Sequence, residues 1–244
     1  MQLNRHMTSH FSLVGHEQTP ILLIDDLIEH PEQLVDFACE QQEQSKTAAT
    51  SDKHGFQQQD SDFYPGIRKQ TPLNYVTVLG QLLPFLQQFF NLSSTAQADI
   101  MLSAFSISTT PEQQLRPIQM LPHFDSPNNA QYAMVHYLCD IKHGGTSFYR
   151  HNTSGFERIT EPRLAPYRHQ LKQQAIAANL HKNPQYINGD SHLFTRTHQV
   201  EAKFNRAIIY PSNVLHSGNI QANLGLLSDP KKGRLTISNF ILIR

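Results

Sequence analysis

The sequence has little of several features that mark whole classes of protein. Two cysteines, Cys39 and Cys139, are too few for a disulfide framework or a thiolate zinc site. The 20 basic and 20 acidic side chains cancel, so charge predicts neither nucleic-acid binding nor capture on an anionic membrane. No run approaches the roughly 18 apolar residues of a membrane span, and the N-terminal segment lacks the apolar stretch of a signal peptide. We therefore expect a cytoplasmic protein with no membrane partner.

Length and apolar content predict one folded unit. The chain has 244 residues, 39% of them apolar, which is enough for a single core of ordinary size. We predict one domain over residues 1–244. Histidine is the residue type present in unusual number, with 14 copies. Most histidines in a protein lie at the surface or are hydrogen-bonded in the core, but this number justifies a search for metal-ligand spacing.

The first 98 residues predict a strand and helices that support a larger core. Residues 20–28 form a short apolar block typical of a buried strand, and His30-Pro31-Glu32 is a typical helix start. Apolar residues at helical spacing from Tyr75 to Phe90 predict another helix, kinked or split at Pro84. Residues 41–62 are rich in glutamine, serine and aspartate, which predicts a loop.

Strand patterns dominate residues 99–244. Apolar segments bounded by turn residues predict strands at 100–107, 133–138, 146–149, 207–210 and 235–243. Because no strand–helix–strand rhythm links them, we predict an α+β fold. Its core is a jelly-roll, or double-stranded β-helix, with the N-terminal helices packed on one sheet. Residues 151–198 contain a helical segment, Leu171–Leu180, and predict an insertion that forms a lid or a wall.

His123-Phe124-Asp125 places two potential metal ligands two residues apart. In an extended segment both side chains point to the same face. Imidazole and carboxylate suit Fe(II), Mn(II) or Zn(II), but a third ligand is needed and one side must stay open for chemistry. The pair alone is a weak signal, because a chain with 14 histidines contains this spacing by chance, and a solvated turn explains it equally well.

Two later residues complete an ordered set. His216 follows the strand-and-proline segment 208–211 and is a candidate third ligand. Arg234 opens the final strand, where a guanidinium could hold a carboxylate through two parallel hydrogen bonds. Taken alone, Arg234 is more simply explained as a surface charge at the start of a strand.

This order resembles that of the 2-oxoglutarate- and Fe(II)-dependent dioxygenases, in their prolyl-hydroxylase-type branch. The residues above match the family's pattern, and so do three further segments. These are the N-terminal Ile24-Asp25-Asp26-Leu27, His136-Tyr137-Leu138-Cys139-Asp140, and Gly144-Gly145-Thr146-Ser147-Phe148. The resemblance implies that His123, Asp125 and His216 form the catalytic metal site for Fe(II). It implies that Arg234 binds the distal carboxylate of the co-substrate 2-oxoglutarate, assisted by Tyr137, and that O2 is the oxidant. Thr236, two residues beyond Arg234 on the same strand face, is a weaker candidate for the same carboxylate.

Two segments depart from the family pattern. An inserted loop, residues 221–232, lengthens the stretch from His216 to Arg234, and the insertion at 151–198 has no counterpart in the minimal fold. Because of these two departures, the resemblance does not identify the substrate. The implied reaction is hydroxylation of an amino-acid, peptide or protein side chain, with release of succinate and CO2, and the implied partner is a small molecule, a peptide or a protein. The sequence makes no prediction of oligomeric state.

Two other functions stay open. One is a catalytically silent barrel that binds a ligand without turnover, and the other is a cupin-like metal-binding barrel acting as a zinc hydrolase or a metal-dependent isomerase. Arg234 separates the oxygenase from the hydrolase, since a hydrolase needs no buried guanidinium facing a dicarboxylate.

Some residues near these motifs have simpler interpretations. The segment 63–68 is more often a structural turn than a substrate entrance. Asn213 and Asn219 flank His216 and are candidates to orient it or the co-substrate. We expect His143 to be solvated in a turn and His151 not to be a ligand.

Overall fold

The computed structural model describes residues 1–45, 55–58 and 63–244. The strands are β1 (Thr8–Val14), β2 (Thr19–Asp25), β3 (Gly66–Gln70), β4 (Ala98–Ser108), β5 (Gln131–Tyr137), β6 (Thr146–His151), β7 (Phe194–Val200), β8 (Arg206–Pro211), β9 (His216–Gly218) and β10 (Leu235–Ile243). The α-helices are α1 (Glu32–Ser45), α2 (Leu73–Leu79), α3 (Leu83–Phe89) and α4 (Glu161–Ala177). None of the described helices is both long and apolar enough to cross a membrane.

The strands form two antiparallel sheets. The large sheet has seven strands in the order β1-β2-β8-β5-β10-β4-β3, and the small sheet has the order β7-β6-β9. Residues of both sheets, including Tyr137 and Tyr210 from the large one and Phe148 from the small one, share one apolar cluster. The sheets therefore face each other across a common interior. With mostly antiparallel sheets and few helices, the fold is consistent with a jelly-roll-like arrangement.

Strand alternation divides the large sheet into two faces. Phe105, Ile237 and Ala207 lie on the outer face and share an apolar cluster with Leu34 of α1 and Tyr75 of α2. Neighbouring residues in the same strands point the other way, toward the small sheet. The N-terminal helices thus cover one face, and the other lines the interior where the candidate site lies.

The helix that begins at Glu32 agrees with the sequence prediction, but its end does not. α1 continues to Ser45, so the start of the predicted 41–62 loop is helical. Gln57 forms a β-bridge with Arg68, and residues 46–54 and 59–62 lie outside the described part of the chain. The predicted split at Pro84 is present: α2 and α3 are joined by a 3-10 turn at Gly80–Leu82, and Pro84 stands in the first turn of α3, where its missing N–H costs nothing.

The strands predicted after residue 98 correspond to β4, β5, β6, β8 and β10, whereas β1, β3, β7 and β9 were not predicted. β7 pairs with β6, so the insertion between these two strands ends at Leu193 rather than at residue 198. The predicted helix Leu171–Leu180 is α4, which begins ten residues earlier, at Glu161. Pro162 occupies the first turn, where proline is tolerated, and Pro166 is accommodated inside the helix.

α4 covers the outer face of the small sheet. Tyr167 and Leu164 of α4 pack with Tyr149 of β6 and with Leu215, which precedes β9. Phe124, between the two candidate ligands His123 and Asp125, lies 6.1 Å from Tyr167 between ring centroids. The helix therefore forms a wall behind the metal-ligand segment.

Candidate metal centre

His123, Asp125 and His216 converge on one point. Each offers one ligand atom, and these three atoms lie within 4.8 Å of one another. The His123 Nε2 is 3.8 Å from Asp125 Oδ1, and the His216 Nε2 is 3.6 Å from Asp125 Oδ2. These separations exceed hydrogen-bond length and leave space between the three donors for a metal ion.

Backbone pairing brings the two histidines together. His123 and His216 donate N–H bonds to each other's carbonyl oxygen, at 2.9 and 2.8 Å, as directly opposed residues of an antiparallel pair do. Asp125 extends the pairing through its N–H, which donates to the Ser212 carbonyl at 2.8 Å. The 123–125 segment thus lies beside β9 like a further strand, and the His123 and His216 rings stand 4.3 Å apart.

The hydrogen bond of His216 selects its metal-binding nitrogen. Its Nδ1–H donates to the Val214 carbonyl oxygen at 3.0 Å, which leaves Nε2 without a proton and directed at Asp125. The sequence made Asn213 and Asn219 candidates to orient this ring or the co-substrate, but the Val214 carbonyl oxygen is the partner of the ring. The Asn213 side chain contacts Arg158 and Asn129, and Asn219 donates its backbone N–H to Gly145.

Burial differs among the three ligands. The His216 and Asp125 side chains are 7% and 14% exposed, whereas His123 is 50% exposed and gives access to the centre. The protein surrounding His123 disfavours its charged form and holds its pKa well below the usual range, which keeps the imidazole in the form that binds metals. Burial raises the pKa of Asp125, and the neighbouring His216 and Arg68 side chains oppose that rise.

Arg234 is a buried cation beside the interior, at 8% exposure. Its Nε and Nη2 donate to the carbonyl oxygens of Gly144 and Gly145, at 3.3 and 2.8 Å. Both partners are neutral, and no carboxylate of the described residues pairs with this guanidinium. Gly144 has φ +76, and a Cβ there would lie 1.7 Å from the Asn219 carbonyl oxygen, so glycine is required in the turn that holds Arg234.

Tyr137 lies near Arg234. Burial raises the pKa of Tyr137 to about 12, and the positive charge of Arg234 opposes that rise. The Tyr137 hydroxyl is 2.7 Å from the Thr146 hydroxyl. Thr236 pairs with Tyr137 across the sheet, but its hydroxyl is directed at the Ser106 carbonyl oxygen, at 3.4 Å.

Tyr210 and Arg68 belong to the site but were missed as site residues. The Tyr210 ring lies 4.8 Å from the His216 ring, and burial and the negative charge of Asp125 raise the pKa of its phenol. Alternation within 207–210 could have placed Tyr210 on the interior face. Arg68 was included in a segment interpreted mainly as a structural turn, and only the pairing of β3 with β4 places it beside the centre.

The sequence also gave predictions for two histidines outside the metal cluster, His151 and His143. His151 is buried and contacts Ser154 and Gln174 with its two ring nitrogens, at 2.8 and 2.7 Å. Its expected exclusion from the metal site is consistent with this position. His143 was expected to be solvated, but its side chain is only 11% exposed and lies 3.8 Å from Asp140.

The solved structures with a similar backbone fold have low sequence identity to this protein. EvdMO1 has a TM-score of 0.48 and 11% identity over 97% of this chain and 47% of its own, so this chain spans about half the length of EvdMO1. HygX from Streptomyces hygroscopicus, with nickel and 2-oxoglutarate bound, has a TM-score of 0.46 and 9% identity over 93% of this chain and 84% of its own. EctD from S. alaskensis, with bound Fe, has a TM-score of 0.43 and 12% identity over 99% of this chain and 81% of its own.

A family model gives the firmer assignment. No curated protein matches the sequence. The model described as "Family of unknown function (DUF6445)" matches residues 5–241, which is nearly the whole chain. The protein that carries the His123, Asp125 and His216 cluster therefore belongs to the DUF6445 family.

Proposed function

We propose that this protein is an Fe(II)- and 2-oxoglutarate-dependent oxygenase. The observation that carries the proposal is the convergence of two imidazoles and one carboxylate, from His123, Asp125 and His216, on a single point. Two histidines and one carboxylate are the donor set of the facial triad that binds non-haem Fe(II) and leaves positions open for other ligands. The unprotonated Nε2 of His216 and the access beside His123 fit that role.

Arg234 supports 2-oxoglutarate as the co-substrate. A guanidinium that is 8% exposed and contacts only carbonyl oxygens retains a charge that a bound carboxylate would balance. Tyr137 lies close to Arg234, and Tyr210 contacts His216 and is close enough to both Asp125 and Arg234 to feel their charges. A dicarboxylic acid held at one end by Arg234 would thus extend past Tyr210 toward the metal.

The chain's own residues bind and orient the reactants. Fe(II), 2-oxoglutarate and O2 would together supply an oxidation in which one oxygen atom of O2 goes to succinate as CO2 is released, and the other goes into a substrate C–H bond. His123, Asp125 and His216 would hold the metal, and Arg234 would hold the distal end of the co-substrate. The apolar cluster around Phe148 and Tyr210 keeps water from the interior.

The proposal also includes a class of substrate. We infer hydroxylation of an amino-acid, peptide or protein side chain from the resemblance to the prolyl-hydroxylase-type branch, and membership of that branch stays a prediction. The single domain over residues 1–244, the cytoplasmic location and the supporting role of Thr236 stay predictions as well.

The test is succinate formation from 2-oxoglutarate in the presence of Fe(II), ascorbate and O2. We expect succinate from the wild-type protein, and a weak visible absorption band when Fe(II) and 2-oxoglutarate are added without O2. Metal binding without 2-oxoglutarate binding would favour the cupin-like alternative. Binding of both without succinate formation under any substrate screen would favour the catalytically silent barrel.

A further inference from the structure

A cavity of about 260 Å³ lies beside the small sheet, lined by Gln199 of β7 and by Asn219, which follows β9. Val200, the neighbour of Gln199, packs in the apolar cluster between the two sheets. Because successive side chains of a strand alternate between faces, Gln199 points to the outer face of the small sheet. The cavity therefore lies on the opposite side of this sheet from the metal centre.

Three buried polar side chains on this outer face lack hydrogen-bond partners. Among the described residues, none pairs with Asn219 Oδ1, Ser147 Oγ or Tyr149 Oη. Asn219 is 4% exposed, and Ser147 and Tyr149 are fully buried. Ser147 is opposed to Gln199 in the sheet, and Tyr149 is opposed to Arg196, which also lines the cavity. Opposed residues share a face, so the three side chains belong to the side of the sheet that carries the cavity.

The Tyr149 hydroxyl shows why these groups do not satisfy one another. It lies near Ser147 and near the Gly189 backbone, but at positions that do not meet the geometry of a hydrogen bond. Buried polar groups in native proteins are nearly always hydrogen-bonded, because an unpartnered one costs free energy. Three unpartnered groups on one face, beside one cavity, therefore point to a ligand that supplies the partners.

The size of the cavity restricts that ligand. A water molecule takes about 30 Å³ in the liquid, so a single bridging water does not fill about 260 Å³. Sites for drug-sized ligands measure about 300 to 1,000 Å³. The volume thus corresponds to a small molecule with one ring.

The lining favours a ligand that is neutral and rich in hydroxyl groups. Asn188, Gln199 and Asn219 line the cavity with carboxamides, which both donate and accept hydrogen bonds, as a ligand hydroxyl does. Arg196 and Glu201 line it with charges of opposite sign, so neither an anion nor a cation is favoured overall. The Arg196 guanidinium also donates to the Gln199 side chain at 2.7 Å.

We propose that this cavity binds a small neutral cyclic polyol, of the size of a hexose or a cyclitol. Asn219 Oδ1 accepts a hydrogen bond from a ligand hydroxyl, and the hydroxyls of Ser147 and Tyr149 complete the polar contacts. The inference does not rest on the proposed function, because the cavity and the metal ligands lie on opposite faces of the small sheet.

myo-Inositol and D-glucose are the probes, and cyclohexanol, a six-membered ring with one hydroxyl, is the matched control ligand. Titrations followed by saturation-transfer NMR, on the full-length protein without added metal, give the dissociation constants. We expect at least one polyol to bind about tenfold or more tightly than cyclohexanol, because it makes several more hydrogen bonds. Asn219→Leu and Ser147→Ala should each weaken that binding about three- to tenfold, as for one hydrogen bond. Gln173→Leu, an exposed position on α4, should change nothing.

Unfolding by urea separates loss of binding from loss of the fold. Asn219 Oδ1 and Ser147 Oγ have no partner among the described residues, so their removal breaks no hydrogen bond of the ligand-free protein. Both variants should therefore unfold at a urea concentration no lower than the wild type does. Added polyol should raise the unfolding midpoint of the wild type and raise it less in the variants.

Four results would overturn the proposal. If neither polyol binds more tightly than cyclohexanol, ordered water alone occupies the cavity. If a polyol binds equally to wild type, Asn219→Leu and Ser147→Ala, its site is elsewhere. Loss of polyol binding in His123→Ala would place the polyol at the metal centre. Displacement of the polyol by inorganic phosphate would make the cavity an anion site instead of a site for neutral ligands.

Discussion

The buried polar groups on the two faces of the large sheet differ in their hydrogen-bond partners. On the face toward the helices, His136 is fully buried, and its two ring nitrogens are 3.1 Å from the Tyr75 hydroxyl and from the Asn205 side-chain oxygen. On the face toward the small sheet, the charge of Arg234 meets only carbonyl oxygens, and the Nε2 of His216 points at Asp125 across 3.6 Å. A polar group whose partners are all within the protein stabilises the fold, whereas one that retains charge or a free lone pair is available to a ligand.

The largest expected effect is on metal binding. Asp125→Ala or His216→Ala removes one of three ligands, so affinity for Fe(II) should fall by roughly a hundredfold or more, beyond the loss typical of residues that merely support ligands. Equilibrium dialysis without O2 measures it. Asp140→Asn, which changes an exposed aspartate paired with Lys142, is the matched control. Metal affinity equal to wild type in the Asp125 or His216 variant would place the metal elsewhere.

His136 should govern acid stability on the opposite face. Burial lowers the pKa of His136 to about 4. The unfolded chain, with a histidine pKa near 6.5, binds a proton more readily, so this contribution is complete above about pH 6.5 and is lost as pH falls toward 4. The full change amounts to about 3 kcal/mol.

Urea unfolding of the metal-free protein across this pH range measures the effect. His136→Gln should be less stable at neutral pH, and its stability should fall less between pH 6.5 and 4 than that of the wild type. Parallel curves for the two proteins would show that His136 does not titrate in this way.

Arg234→Gln should separate co-substrate binding from metal binding. Loss of a charged hydrogen-bond partner is expected to raise the dissociation constant of 2-oxoglutarate about ten- to thirtyfold while Fe(II) stays bound. The anaerobic absorption band, titrated with 2-oxoglutarate, gives the constant. Arg206→Gln removes a guanidinium that already pairs with Asp25 and should leave the titration unchanged. An unaltered constant in the Arg234 variant would move the carboxylate site.

Tyr210→Phe should have the smallest effect. The substitution keeps the ring that packs on His216 and Phe148 and removes only the hydroxyl. We expect 2-oxoglutarate binding to weaken roughly threefold, as for one neutral hydrogen bond, with metal affinity unchanged. The same absorption titration detects it. A loss of metal affinity instead would assign Tyr210 to support of His216.

The comparison of the two faces also explains which predictions from sequence succeeded. The segments of β4, β5 and β10 were identified because apolar residues and turn signals are local. β9 was missed because three residues carry no periodic pattern. The early start of α4 was missed because Pro162 and Pro166 discourage a helix, whereas packing of Tyr167 and Leu164 against the small sheet stabilises it.

The sequence alone selected His123, Asp125, His216 and Arg234 as candidates, since ligand chemistry and order along the chain are properties of residue type. The tertiary structure decided the rest. It placed His123 opposite His216 through backbone pairing, and it made the Val214 carbonyl oxygen, rather than Asn213 or Asn219, the partner of the His216 ring. It also paired Arg68 of β3 with Ser106 of β4. Strand register and long-range hydrogen bonds join residues far apart in sequence, so no local pattern specifies them.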